Sequence, residues 1–422
     1  MRFVYLTLFF VLIFGKVRLL QETLGFGGEV ANIPPKLFLL VVIFGSTLKI
    51  FYRKTPFHLF TIEKVMLFIF GCFIICGYLG SFLFAYQPKI YPQLMDVINY
   101  SSFILGFYAT IYFFQDFDEK KIKNWLSPCA SVAKILTIVM LVFWLLEQTF
   151  GLGMTSRDVA NRLLPPYQFI FYHGTYFMTV VTFLFIILFK ERKIYVLILC
   201  LLCLLSARDR GYFFLLLFLS FSFLAKYNIF NFKFLIPFII LIGISALAIS
   251  YQKILYYTDE DSIRATFYIV AILLAIKHFP LGAGWCTIGT WNSYRYDSPI
   301  FDIYYNFFVW IEQRDTVYAD SGFSSIIGQT GLLGTIFYLL FMLFLFFSMY
   351  KRFQHNTFLL RVISCWIIFN MVSYFVSDSM VSNFFVTSSF FIGILYLQNK
   401  KVENKESDSS TENKISSHLQ SS

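Results

Sequence analysis

Charge is scarce in this chain: Asp, Glu, Lys and Arg together make up 14% of its 422 residues, and there are only five histidines. A water-soluble protein carries about a quarter of its residues as charges, so this fraction excludes an ordinary soluble enzyme. Cysteine is also sparse, and Cys72, Cys76, Cys129, Cys200, Cys203 and Cys365 fall in or beside apolar runs, leaving only Cys286 in a long polar stretch. No disulfide framework follows from that placement. With the histidines scattered, Cys200-Leu201-Leu202-Cys203 reads as two small buried side chains rather than a zinc or redox half-site, and neither a metal nor another cofactor is expected. A cleavable leader is missing too. Arg2 and an apolar run to Phe14 lead into Gly15 and Lys16 without a small-residue cleavage site, which predicts a retained first helix. The chain shows no internal repeat, and its glycines do not form a dinucleotide fingerprint.

What the chain has instead is apolar length. Hydrophobic residues make up 58% of it and aromatics 21%, so lipid must be its main solvent. Apolar runs cover 3–14, 35–51, 65–85, 97–114, 126–146, 168–189, 193–206, 211–225, 234–250, 323–349, 358–376 and 381–397. They predict an all-α integral membrane protein of about twelve spans, with one large outward-facing loop over 251–322. Residues 1–398 form one polytopic domain. The polar segment 399–422 is expected to be a disordered cytoplasmic tail.

The net charge of +10 does not imply nucleic acid as a partner, because the cations sit in short clusters between apolar runs. With a cytoplasmic N-terminus, the inner loops hold Arg53, Lys54 and Lys64, then Lys120, Lys121 and Lys123, then Lys190, Arg192 and Lys193. The later ones hold Lys226 and Lys233, Lys351 and Arg352, and Lys400 and Lys401. This repeats at every second loop, as the positive-inside rule requires. The outer segments carry mostly arginines: Arg157, Arg162, Arg208, Arg210, Arg264, Arg295 and Arg314. Moving such charges across a membrane runs against that rule, which suggests a use for them.

Three segments could carry chemistry. The turn Ser206-Ala207-Arg208-Asp209-Arg210-Gly211 places two guanidinium groups at the outer headgroup level. There they suit the paired oxygens of a diphosphate, or snorkel to lipid headgroups while Asp209 pairs with one of them. Thr258-Asp259-Glu260-Asp261-Ser262 suits a helix start, and the helix continues from Ile263 to His278. Ile263, Phe267, Val270 and Leu274 lie on one face, and Arg264, Tyr268 and Ala271 on another. Pro280 ends it, and Gly282 and Gly284 around Ala283, before Trp285, permit a sharp turn or close backbone approach to a ligand. Aromatics crowd the stretch from Trp285 to Tyr318, suiting sugar rings and the membrane interface equally. Asp320 stands at the mouth of the next helix, where it caps the N-terminus or accepts a proton.

These residues resemble the O-antigen polymerase and ligase superfamily of bacterial membrane proteins. The likeness rests on three signs in order: Arg210-Gly211 between two apolar helices, Arg264 opening a helix that leads to Pro280-Leu281-Gly282-Ala283-Gly284, and Asp320-Ser321-Gly322-Phe323 entering a Gly331-Leu332-Leu333-Gly334 helix. Asp209 stands where the family often has Ser, and Asp320-Ser321 where ligases usually show His-Asn, which favours the polymerase branch. The resemblance implies that a polyprenyl-diphosphate-linked glycan is transferred onto a lipid-linked repeat unit at the outer face of the inner membrane, with no metal. It implies catalytic roles for Arg208, Arg210, Arg264 and Asp320. Arg157, Arg162, His173, Tyr268, Gly282, Gly284, Trp285, Arg295 and Arg314 become substrate contacts, His173 is the second candidate base, and a chain-length regulator is a further protein partner it allows.

Two other readings are open. A lipid-linked oligosaccharide flippase should show related halves and charges deep in the bundle, whereas Lys134 is the one clear cation inside an apolar run. A structural scaffold would need no outward arginines. The charge pattern makes a direct prediction: membrane-impermeant thiol reagents should label single cysteines placed within 286–320 from outside, and none within 52–60 or 400–420. Reversed labelling would overturn the orientation.

Overall fold

The computed structural model describes residues 1–15, 29–53, 59–155, 166–171, 174–188, 191–226, 263–312, 322–354, 356–375, 382 and 384–400; within these, the side chains of 29–32, 53, 209, 224–226, 263–264 and 309–312 are outside the description. Among the described residues the chain is helical, with isolated bridges such as Thr155 to Tyr167 in place of any sheet. The helices are α1 (Arg2–Phe14), α2 (Glu29–Arg53), α3 (Thr61–Phe84), α4 (Ile90–Phe114), α5 (Glu119–Phe150), α6 (Gly174–Ile187), α7 (Lys193–Leu205) and α8 (Asp209–Lys226). After these come α9 (Ile263–Lys277), three short turns α10 (Trp291–Arg295), α11 (Ile300–Ile303) and α12 (Tyr305–Glu312), then α13 (Gly322–Phe353), α14 (Thr357–Tyr374) and α15 (384–400).

Six of them are long and apolar enough to cross a membrane: Ile33–Tyr52 within α2, and α3, α4, α5, α13 and α14. These match the expected runs 35–51, 65–85, 97–114, 126–146, 323–349 and 358–376. The runs 168–189 and 193–206 yield only the 14 residues of α6 and the 13 of α7. At 1.5 Å per residue such helices measure roughly 20 Å, short of a hydrocarbon core of about 30 Å. The run 234–250 and the tail 401–422 lie outside the described residues.

Helix direction follows from contacts between ends. Lys49 on α2 pairs with Asp116 beyond α4 at 2.7 Å, and Tyr5 of α1 stacks on Trp125 of α5 at 6.4 Å. Asn356 before α14 donates to Asn399 at the end of α15, 2.8 Å. Lys64, Lys120, Lys121, Lys123, Lys351 and Lys400 therefore share one end of the bundle, and the turn 206–211 and the loop after α9 occupy the other. Lys134, the cation expected inside a run, pairs with Glu191 in the turn between α6 and α7 at 2.7 Å.

The basic end is closed by a buried ion pair. Glu63, in the first turn of α3, is fully buried; Arg352 Nη2 of α13 donates to its Oε2 at 2.9 Å, and Tyr108 Oη and Ser348 Oγ donate to its Oε1 at 3.0 and 3.1 Å. The guanidinium lies over the rings of Phe60, Tyr108 and Tyr396 at 5.3, 5.3 and 4.9 Å. Arg352 is thus absorbed inside the bundle instead of serving as a free inner-loop cation. Removing one member of such a pair costs roughly 3–5 kcal/mol.

At the opposite end α13 is broken. Gly331 leaves helical geometry (φ 63, ψ −163), and the loop after α9 fills the gap with its own backbone. Ala283 N–H donates to the Gly328 carbonyl at 2.9 Å, Gly284 N–H to Gln329 at 2.8 Å, and Leu333 N–H to Pro280 at 3.1 Å. These three bonds take up backbone groups that the break in the helix frees. Only glycine fits at the crossing: Gly282 has φ 72, and a Cβ there would meet the Gly331 nitrogen and lie 2.8 Å from the Gly328 oxygen. Gly282→Ala is therefore expected to cost at least ~2 kcal/mol. Thermal denaturation of the detergent-solubilised protein measures this; a variant as stable as wild type would contradict the close crossing.

Candidate functional site

The arginine turn is built by a conflict between two helices that nearly touch. Ala207 takes a left-handed φ of 46, Ser206 Oγ donates to the Cys203 carbonyl at 2.7 Å, and Gly211 N–H donates to Arg208 at 2.8 Å. A Cβ on Gly211 would collide with Ser206 Oγ and the Cys203 carbonyl, so the residue after Arg210 has to be glycine. Arg208 and Arg210, both half-buried, then stand at the N-terminus of α8, where the helix dipole favours an anion.

A second helix starts beside them. Gly174 opens α6, and a Cβ built on it would lie 3.0 Å from Arg208 Nε. His173, the residue before, is outside the described residues, as are Arg157, Arg162, Arg314 and Asp320. The chain bearing Arg157 and Arg162 leaves at Thr155 and returns at Tyr167, whose N–H donates to the Leu205 carbonyl at 3.3 Å, three residues before Arg208.

The remaining predicted helix starts gather around the end of α14. Phe214 of α8 meets Phe369 of α14 at 5.5 Å. Each is five residues from its helix end and the helices run antiparallel, so Asp209 and Tyr374 sit at about the same depth, roughly 7.5 Å beyond that contact. Gly322, which opens α13 two residues after Asp320, packs on the Tyr374 ring, and Phe323 packs on Phe375 at 4.3 Å. Tyr268 Oη donates to the Phe375 carbonyl at 2.6 Å. Arg264 lies one turn before Tyr268 on α9. The end of α14 thus joins α13, which opens two residues after Asp320, to α9, which carries Arg264, and α8 begins at Arg208 and Arg210 at about the same depth.

The predicted glycine-tryptophan contacts are placed elsewhere and face protein. Gly282 and Gly284 approach the backbones of α13 and α3, and Trp285 is fully buried. Its indole stands edge-on to Phe73 at 5.2 Å and donates to the Ile74 carbonyl at 3.2 Å, while its backbone N–H donates to Ser81 Oγ at 2.8 Å. Further along the same loop Trp291, Tyr294 and Arg295 are exposed. His278 closes the hinge before Pro280: its Nε2 lies 3.0 Å from Tyr86 Oη and its ring 4.1 Å from Phe84. Burial and then the neighbouring Lys277 hold its imidazole below the usual range, which keeps it neutral at pH 7.

Sequence reasoning missed the buried acids Glu63, Glu147 and, beneath this loop, Asp96. Asp96 of α4 is 1% exposed and accepts from Thr290 Oγ1 at 2.9 Å, Asn292 Nδ2 at 2.6 Å and Gln329 Nε2 at 3.4 Å. The signal was present. Gln93, Asp96 and Tyr100 recur at i, i+3 and i+7, a polar stripe on one face of an otherwise apolar helix. No group of three or more His, Cys, Asp or Glu among the described residues has the arrangement of a metal site.

No known protein family matches the chain by sequence profile, and no curated protein matches it.

Proposed function

We propose that this chain is a polysaccharide polymerase of the O-antigen or capsule type, a bacterial inner-membrane protein of about twelve spans with both termini cytoplasmic and the 251–322 loop outside. One observation carries the reading. Arg208 and Arg210 stand at a helix N-terminus, at the bundle end opposite the lysine clusters, beside the start of α6 and level with the starts of α9 and α13. Lipid headgroups alone would not require these helix starts to lie at one level.

The chemistry fits that arrangement. The acceptor sugar's hydroxyl oxygen bonds to the donor's anomeric carbon as the bond from that carbon to the polyprenyl diphosphate breaks. The leaving group takes the electron pair, and the hydroxyl proton passes to a base, for which Asp320 is the first candidate and His173 the second. Charge grows on the diphosphate as the bond breaks, so fixed guanidinium groups and N-terminal N–H groups stabilise the transition state more than the ground state. Arg264 joins from α9, and Arg157 and Arg162 serve as outer contacts. A flippase would keep its charges ready along a water-filled path, whereas Glu63 and Arg352 are held on each other at the far end, Asp96 is bound by Thr290, Asn292 and Gln329, and Glu147 accepts from Thr155.

Arg210→Lys keeps the charge but loses the paired hydrogen-bond geometry, so polymer formation should fall about ten- to a hundredfold with normal expression. Near-normal polymer would return the turn to headgroup snorkelling. Asp320→Asn preserves a helix cap but cannot take up a proton, so it should lower transfer by ~10²–10⁴ without loss of stability. Full transfer by that variant would make Asp320 a cap and move the base to His173, Glu312 or the substrate.

A further inference from the structure

The loop over α3 and α4 is a preformed surface whose seat is a single carboxylate. Asp96 takes hydrogen bonds from two elements that are remote in sequence: Thr290 and Asn292 of the loop, and Gln329 of α13, just before the break at Gly331. Thr290 has a double role, because its hydroxyl donates to Asp96 while accepting from Ser293 N–H at 3.1 Å as the cap of α10. Ser293 Oγ donates back to the Thr290 carbonyl at 2.7 Å, and Ser298 Oγ to Thr287 at 2.6 Å, so 287–298 is closed on itself before it meets the bundle. Gln329 Nε2 also donates to the Ile288 carbonyl at 2.8 Å.

This clamp decides which side chains the loop turns outward. With Thr290 and Asn292 drawn down onto Asp96 and Ser293 fully buried, Trp291 and Tyr294 remain 48% and 41% exposed, their rings 5.8 Å apart, with Arg295 beside them. Tyr296 reaches Tyr91, at the top of the exposed apolar stripe Ile90, Leu94 and Ile98 on α4. A membrane-interface belt needs aromatics at the right depth, not a five-residue helix pinned to a buried acid. Paired aromatic faces with an arginine over an apolar stripe suit a sugar phosphate carried on a lipid.

We propose that Asp96 is a positioning residue for the acceptor: by holding Thr290 and Asn292 it sets the pose of Trp291, Tyr294 and Arg295, which meet the sugar of the second lipid-linked unit. The proposal rests on the glycan-joining reading. A polymerase needs two lipid-linked substrates, and the first half of α13 lies between this loop and the arginine turn, touching Tyr374 through Gly322 and the loop through Gly328 and Gln329.

Cys286 supplies a readout independent of activity. It is fully buried in the seated loop, and burial followed by the Asp96 charge pushes its thiol up, so, contrary to the labelling expected across 286–320, it should resist an impermeant maleimide that reaches exposed positions such as 291 and 294. In the full-length protein in lipid, Asp96→Ala should make Cys286 react at least about tenfold faster. With the cell's own lipid-linked repeat units as substrate, it should raise the acceptor KM about ten- to a hundredfold while kcat stays within about twofold. Asp96→Asn, which keeps one acceptor oxygen, should fall between. If Asp96→Ala fails to fold, Asn292→Ala removes the shortest bond from the loop side and should raise KM about tenfold.

A shielded Cys286 in Asp96→Ala would show that the carboxylate is not the seat. An exposed Cys286 with unchanged KM would remove the positioning role. Wild-type protein that forms no polymer would sink the function reading, a failure that the thiol result keeps distinct.

Discussion

The half of this protein opposite the lysine clusters is organised by one constraint: a helix broken inside a membrane protein must have its lost backbone hydrogen bonds replaced. At Gly331 the replacement comes from Pro280 to Gly284, and much else follows from it. The crossing admits only glycines, it brings Trp285 against Phe73 and Tyr100 on α3 and α4, and it places Thr290 and Asn292 above Asp96. Two of the sequence signs behind the polymerase resemblance, Pro280-Leu281-Gly282-Ala283-Gly284 and Gly331-Leu332-Leu333-Gly334, are two sides of this one joint. Their glycines answer to backbone approach, and the ligand-facing residues have to be sought among their neighbours.

Helical class and the six helices long and apolar enough to cross a membrane were legible because spanning is written as apolar length. The ends were less legible. Glu63 and Asp96 fell at or outside the edges of the apolar runs 65–85 and 97–114, yet both are buried, since a helix can carry a carboxylate indoors when its partners wait on other helices. Arg352 read as a loop cation and is the partner of Glu63. No local pattern announces such pairs, because Glu63 and Arg352 are 289 residues apart. Asp96 was nearer to detection, through the spacing of Gln93, Asp96 and Tyr100. The loop after α9 read as an aromatic outer segment, and its first third is instead core.

The two ends of the bundle use charge differently. At the lysine-rich end, Glu63 and Arg352 satisfy each other, Tyr108 and Ser348 complete the carboxylate, and rings cover the guanidinium. That arrangement holds helices together and leaves little charge for a ligand. At the other end Arg208 and Arg210 occupy a helix N-terminus, where carbonyl acceptors are fewest and the dipole adds to their charge. The proposed diphosphate would lie there, with the start of α6 against Arg208 and the start of α13 against Tyr374.

The central claim is that this end of the bundle joins lipid-linked glycans, and the most direct measurement supplies purified protein in lipid with defined polyprenyl-diphosphate-linked repeat units and separates the products by length. The account predicts a ladder of products growing by whole repeat units, with release of polyprenyl diphosphate and no added metal. Repeat units that move across the bilayer without lengthening would contradict it and mark the protein as a transporter.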